Sequence, residues 1–95
     1  MLHLNVWLKV KESGDVESVK GLLTQAAKLS RQEPGCTRFE VYQSNNDPSR
    51  FLLHEHWESQ AALDEHRKGL AYTQIYQPQV LPRVDREPHP STLLE

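Results

Sequence analysis

A single cysteine, Cys36, is all the thiol chemistry this chain has, and that excludes an internal disulfide framework. No CxxC pair or Cys/His knuckle spacing accompanies it, so no structural zinc site is expected and a reducing compartment fits. Net charge is equally scarce: formally −2, with acids and bases interspersed and no basic run. An extended nucleic-acid or anionic-membrane surface is therefore not expected. Long apolar runs are missing too. The opening MLHLNVWLKVK alternates instead of running apolar, unlike a secretory leader, and no segment approaches the ~20 apolar residues of a membrane span. No internal repeat or low-complexity tract is present. These absences leave one small cytoplasmic domain of 95 residues, a size at which oligomerisation adds useful burial.

The hydrophobic pattern supplies the elements. Leu2, Leu4, Val6, Leu8 and Val10 alternate with His3, Asn5, Trp7 and Lys9, the period of a half-buried strand. Asp15 is placed to cap a helix whose inward stripe is Val16, Val19, Leu22, Leu23, Ala26 and Leu29, ending before Pro34-Gly35. Cys36 to Gln43 and Arg50 to Trp57 read as strands joined by the turn-forming run Ser44 to Ser49. A hairpin register with Gln43 opposite Phe51 sets Phe39 against Glu55 and Val41 against Leu53 on one face, and Arg38 against His56 and Glu40 against His54 on the other. Ser59 is the expected N-cap of a second helix that carries His66 inward and ends at Gly69, and Leu70 to Gln77 forms a further helical stretch stopped by Pro78. The prolines of the tail limit it to a short edge strand near Val84 to Glu87. The expected organisation is one domain over residues 1–87 and an extended tail over 88–95.

Within Phe51 to His66, FLLHEHWESQAALDEH, strand alternation separates two sets of side chains. Phe51, Leu53, Glu55 and Trp57 share one face; Leu52, His54 and His56 share the other. Glu55 thus lies among apolar neighbours, where an ionised carboxylate needs a partner or a task. His54 and His56 with Glu40 invite a metal reading, but His at i and i+2 without a clear third and fourth ligand favours hydrogen bonding on an outer face. His66 serves either as a buried helix-to-sheet hydrogen-bonding residue or as a base. Cys36 reads as a small strand residue, not a nucleophile.

The order strand, helix, strand, strand, helix, weak strand is that of a ferredoxin-like split βαβ domain of the α+β class, an antiparallel sheet with helices on one face. The other face then displays His3, Asn5, Trp7, Arg38, Glu40, Tyr42, His54 and His56. Packing against a second copy would cover it.

The run EPGCTRFEVYQSNNDPSRFLLHEHWESQAALDEH resembles the signature of the antibiotic biosynthesis monooxygenase (ABM) domain family, the dimeric α+β barrel proteins. The resemblance rests on Glu33-Pro34-Gly35-Cys36, Arg38-Phe39-Glu40-Val41, Asp47-Pro48-Ser49-Arg50-Phe51, Glu55, Trp57, and Ala61-Ala62-Leu63 leading to His66. It implies a homodimer with sheets face to face and a small-molecule pocket in each subunit between sheet and helices. It also implies an oxidoreductase: a cofactor-independent monooxygenase acting with dioxygen on a small quinol- or phenol-type aromatic, with a non-catalytic binder or an isomerase on the same scaffold as alternatives. Such chemistry asks for a base, an oxyanion partner and a dry pocket. For these roles the chain offers His66 as base with Glu55 orienting it, Trp57, Tyr72 and Tyr76 to contact a planar substrate, and Asn5 to bind a carbonyl or oxyanion if its face turns toward the pocket. A haem-degrading branch of the family uses an Asn, a Trp and a haem-ligating His. Here Asn5 fills the first position, but His66 and Tyr76 stand at the other two, so no haem and no other cofactor is expected.

Overall fold

The computed structural model describes all residues, Met1–Glu95. Strand β1, Leu2–Val10, is the alternating segment; it lies inside the sheet, with a strand on either side. Its even-numbered residues from Leu4 to Val10 are buried against the helices, so the period-2 pattern alone fixes which face is core. Helix α1, Val16–Ser30, follows a single 3₁₀ turn at Ser13–Asp15. Asp15 occupies the N-cap position but makes no capping bond. Its N–H is already bonded to Glu12 O, and its backbone is helical instead of the extended form from which a side chain caps. Val19, Leu23 and Ala26 are buried as the stripe requires, joined by Ala27 and Ser30.

Strands β2, Cys36–Gln43, and β3, Arg50–Trp57, pair antiparallel with Phe39 opposite Glu55 and Gln43 opposite Phe51, the register expected from alternation. A bulge between Cys36 and Arg38 leaves Thr37 without a partner across the ladder. The hairpin loop is organised by Asp47, which accepts from Ser49 N at 3.1 Å, Lys9 Nζ at 2.7 Å and Arg50 Nε at 3.1 Å. The Lys9 and Ser49 bonds hold its carboxyl well below the usual range and tie the loop to β1. Helix α2, Gln60–His66, begins with the Ser59 hydroxyl accepting Ala62 N at 3.1 Å, as expected for this cap.

The third helix, α3, departs from expectation. It spans Ala71–Val80 as a π-type helix and runs through Pro78. Proline ends an α-helix because it lacks an N–H and collides with the carbonyl four residues back. Bonding five residues back displaces that carbonyl, and the Gln79 side chain caps Gln74 O at 2.9 Å. After a short 3₁₀ turn, Leu81–Arg83, strand β4 covers Val84–Ser91, four residues beyond the expected Glu87. Pro88 and Pro90 are accommodated because β4 is the sheet edge: two residues apart, their missing N–H groups share the side facing away from β1.

The four strands, in the order β2-β3-β1-β4 and all antiparallel, with helices on one face, make the ferredoxin-like α+β fold. No helix is long and apolar enough to cross a membrane.

Candidate active site

Between the sheet and the helices is a cavity whose volume is about 20 Å³, room for a single water as it stands. Leu4, Phe39, Leu53 and Glu55 form its sheet side; Ser30 of α1, His66 of α2, and Tyr72 and Tyr76 of α3 form its helix side. Arg67 and Arg86, both exposed, stand at its rim.

Glu55 is the chemical centre of this wall. It is 5% exposed and accepts a hydrogen bond from Trp57 Nε1 at 3.0 Å. Burial pushes its carboxyl up to about 7, while the Trp57 bond and the charges of Arg86 and Arg67 restrain the rise. A carboxyl that exchanges its proton near neutral pH inside an apolar cavity is suited to general acid or base work. Trp57 is fully buried and holds Glu55 through its N–H instead of lining the cavity.

His66 does not pair with Glu55, contrary to the sequence reading. Its Nδ1 lies 2.5 Å from Glu33 Oε1, on the loop before β2, while its ring packs 4.5 Å from Trp57 and 5.9 Å from Tyr72 between centroids. His66 also borders an open cleft on its far side, lined by Glu33, Glu58, Glu65 and Gly69. The imidazole and its Glu33 partner therefore stand between the buried cavity and solvent.

Tyr72 and Tyr76 take the expected places on the cavity wall, 5.4 Å apart between ring centroids. Tyr76 Oη accepts from Arg86 Nε at 3.2 Å, and burial pushes its phenol up to about 12, so it remains a neutral donor. Asn5 is absent from the cavity. It lies on the opposite sheet face, where Oδ1 is 2.7 Å from His54 Nδ1 and Nδ2 donates to Ser91 Oγ at 3.1 Å. Alternation along β1 dictates this: with Leu4 and Val6 inward, Asn5 points out. On that outer face the His3 and His56 rings are 4.2 Å apart and those of His54 and His56 4.7 Å. No group of three or more His, Cys, Asp or Glu side chains is set to hold a metal ion. Cys36 is a free thiol that burial pushes up to about 11, which leaves it protonated and unreactive.

Sequence reasoning missed Glu33, Ser30, Arg67 and Arg86. Glu33 belongs to the Glu-Pro-Gly-Cys element that carries part of the family resemblance, and this was the available signal for it. Ser30 sits on the inward stripe of α1 one turn beyond Ala26, a polar residue where the pattern demands an apolar one.

Fold and cavity together define a ferredoxin-like α+β protein with a small pocket between its sheet and its helices. The family pattern described as antibiotic biosynthesis monooxygenase matches residues 1–77, and the chain belongs to that family, whose monooxygenase-like fold it carries. A crystal structure of an antibiotic biosynthesis monooxygenase superimposes with a TM-score of 0.90 at 23% identity, covering 100% of both chains. A provisionally assigned antibiotic biosynthesis monooxygenase from Nitrosomonas europaea gives 0.90 at 25% identity, again over 100% of both chains. A similarly assigned protein from Deinococcus radiodurans gives 0.85 at 25% identity over 100% of this chain and 94% of that one. An uncharacterized protein of Synechocystis is 43% identical over 37 residues, 39% of this chain, and the match spans only 25% of that relative's length.

Proposed function

We propose that this protein is a cofactor-independent monooxygenase that oxidises a small phenol or quinol with dioxygen. The observation that carries the reading is Glu55: a carboxyl near neutral pKa, buried on an apolar cavity wall and oriented by the Trp57 N–H. A phenol is a poor reductant of dioxygen, but its anion is not. Glu55 as base takes the phenolic proton, and the phenolate gives one electron to dioxygen. The resulting radicals join through a new C–O bond, and the peroxide collapses to a quinone. For a phenol with an open ring position the balance closes: the phenolic hydrogen and one ring hydrogen leave, one oxygen enters the ring, and the second oxygen departs with those two hydrogens as water. Tyr72 and Tyr76 supply ring contacts and a neutral O–H donor for the developing oxyanion. His66, held by Glu33 between the cavity and the open cleft, stands on the same wall as a second proton-exchanging group.

A homodimer joined through the outer sheet face is part of the same proposal. That face exposes Trp7 at 37% and Tyr42 at 53% beside the three clustered histidines, a surface whose burial would favour self-association. A monomer mass by light scattering at micromolar concentration would refute it.

The test of activity is dioxygen consumption by the purified, metal-free protein with a dihydroquinone and polyphenol panel. Substrate-dependent uptake that falls at least about a hundredfold in Glu55→Gln supports the reading, a loss typical of removing a general base. Uptake at the buffer rate across the panel would sink it and favour a binder or an isomerase on this scaffold.

A further inference from the structure

The cavity carries more positive charge than its own residues use. Arg67 and Arg86 both border it, and neither belongs to any ion pair in the chain, whereas Arg31, Arg38, Arg50 and Arg83 each have a carboxylate or backbone oxygen to satisfy them. Arg86 spends only its Nε–H, on Tyr76 Oη, which leaves the two terminal nitrogens of the guanidinium free toward the rim. On the helix side, Ser30 is 0% exposed and its Oγ has no hydrogen-bond partner. A buried hydroxyl without a partner is costly and uncommon. It borders the same cavity, so an atom arriving there would complete it.

Two free guanidiniums at the mouth and an unsatisfied hydroxyl within form a graded recognition surface. We infer that the ligand of this cavity is an anion, a hydroxylated ring bearing a carboxylate, with the carboxylate held between Arg86 and Arg67 and a ring hydroxyl reaching toward Ser30. The inference rests on the cavity being the substrate site, as proposed above. Guanidinium recognises carboxylate through paired, charge-assisted hydrogen bonds, and the apolar wall of Leu4, Phe39 and Leu53 takes the ring. Because the cavity holds only about 20 Å³, the ring enters as the rim side chains move aside, chiefly the exposed Arg67 and the half-buried Tyr72. Glu55 lies close enough for both arginines to act on its charge. Its proton therefore matters: below about 7 it is neutral and does not repel an incoming carboxylate.

The test is anaerobic calorimetric binding at about pH 6 with two probes that differ by one group, 2,5-dihydroxybenzoate and hydroquinone. The carboxylate probe is expected to bind at least about tenfold tighter, the discrimination one good charged hydrogen-bonded contact gives. Raising salt from about 0.05 to about 0.5 M should weaken it while leaving hydroquinone unmoved. Arg86→Gln should reduce the preference to within about threefold. Should that variant fail to fold by circular dichroism, the exposed Arg67→Gln decides, with a partial loss of preference expected. Equal affinity for the two probes, tighter hydroquinone, no binding of either at millimolar concentration, or a preference untouched by a folded arginine variant would each overturn the inference. An anion preference without oxygen uptake would sink the oxygenase reading alone. Uptake supported by hydroquinone with no carboxylate preference would sink this inference alone.

Discussion

His66 Nδ1 sits 2.5 Å from Glu33 Oε1, 33 residues away in sequence, and this contact, not one with Glu55, holds the imidazole in place. The two acids near His66 thereby take different tasks. Glu33, in the loop before β2, orients the ring from the solvent side. Glu55, on β3, remains free of it and keeps its proton to near neutral pH. The carboxylate that orients the imidazole is thus distinct from the one whose proton burial retains to near neutral pH.

Gly69→Ala isolates the Glu33 contact without touching either partner. A methyl at this position would stand 2.7 Å from Glu33 Oε2, the movable end of a side chain, and 3.3 Å from His66 O. Only Gly35 has a positive φ, so alanine is conformationally allowed at 69. The carboxylate is expected to swing away while the fold persists, with stability changed by no more than about 1 kcal/mol because alanine also restricts the unfolded chain. Long-range nitrogen–proton NMR of the His66 ring should lose its hydrogen-bonded Nδ1 signature. An unchanged ring spectrum would show that the methyl is accommodated without displacing Glu33.

The raised carboxyl of Glu55 makes folding pH-dependent, and the sign follows from linkage. Its value is about 7 in the fold against an ordinary 4.5, so between those limits the native state binds more protons than the unfolded chain. Stability therefore falls as pH rises through that window, by about 3 kcal/mol for this group alone. Glu55→Gln, which keeps the neutral shape, is expected to remove that part of the decline and to be the more stable protein at pH 8. Urea unfolding at pH 5 and pH 8 measures it. Parallel pH dependence in both proteins would mean that Glu55 ionises normally.

Gly35 is fixed by two constraints at once. Its φ is +83°, and a Cβ there would lie 2.4 Å from Ala62 Cβ, on the helix that carries His66. Strain at a left-handed position and a backbone-anchored clash together should cost about 2 kcal/mol or more. Denaturant titration of Gly35→Ala is the measurement, and a loss below about 0.5 kcal/mol would show that α2 shifts freely.

Much of this architecture was legible where one periodicity acts alone. The β2–β3 register followed because pairing Gln43 with Phe51 puts Phe39, Val41, Phe51, Leu53 and Trp57 on one face. The parity of β1 placed Asn5 outside, and there the structure has it, so the pocket role that required it to face inward falls away. The stop expected at Pro78 failed because proline excludes an α-helical bond pattern, not a π-type one. Glu33 and Arg86 stayed hidden for a different reason. Their roles depend on contacts made when a loop and an edge strand close over the cavity, and neither lies on a periodic face that points to the other. Glu55 was the exception, a charged residue on an apolar strand face whose anomaly survives in the fold as its raised pKa.

The outer sheet face should couple dimerisation to pH. His56 packs against His3 of β1 and His54 of its own strand, with Arg38 and Glu40 of β2 beside it. Burial, followed by the charges of His3, His54 and Arg38, lowers its pKa from 6.5, with Glu40 in opposition. A base with a lowered folded value is held neutral, so acidification through and below 6.5 favours states in which the ring is free to charge. Covering the face with a second copy would deepen that penalty on a charged His56. The dimer is therefore expected to dissociate at least about tenfold more readily at pH 5 than at pH 7.5, and His56→Gln should flatten the dependence. Sedimentation equilibrium at the two pH values reads both. A dimer equally tight at pH 5, or a His56→Gln protein that keeps the full pH dependence, would place the interface elsewhere on the molecule.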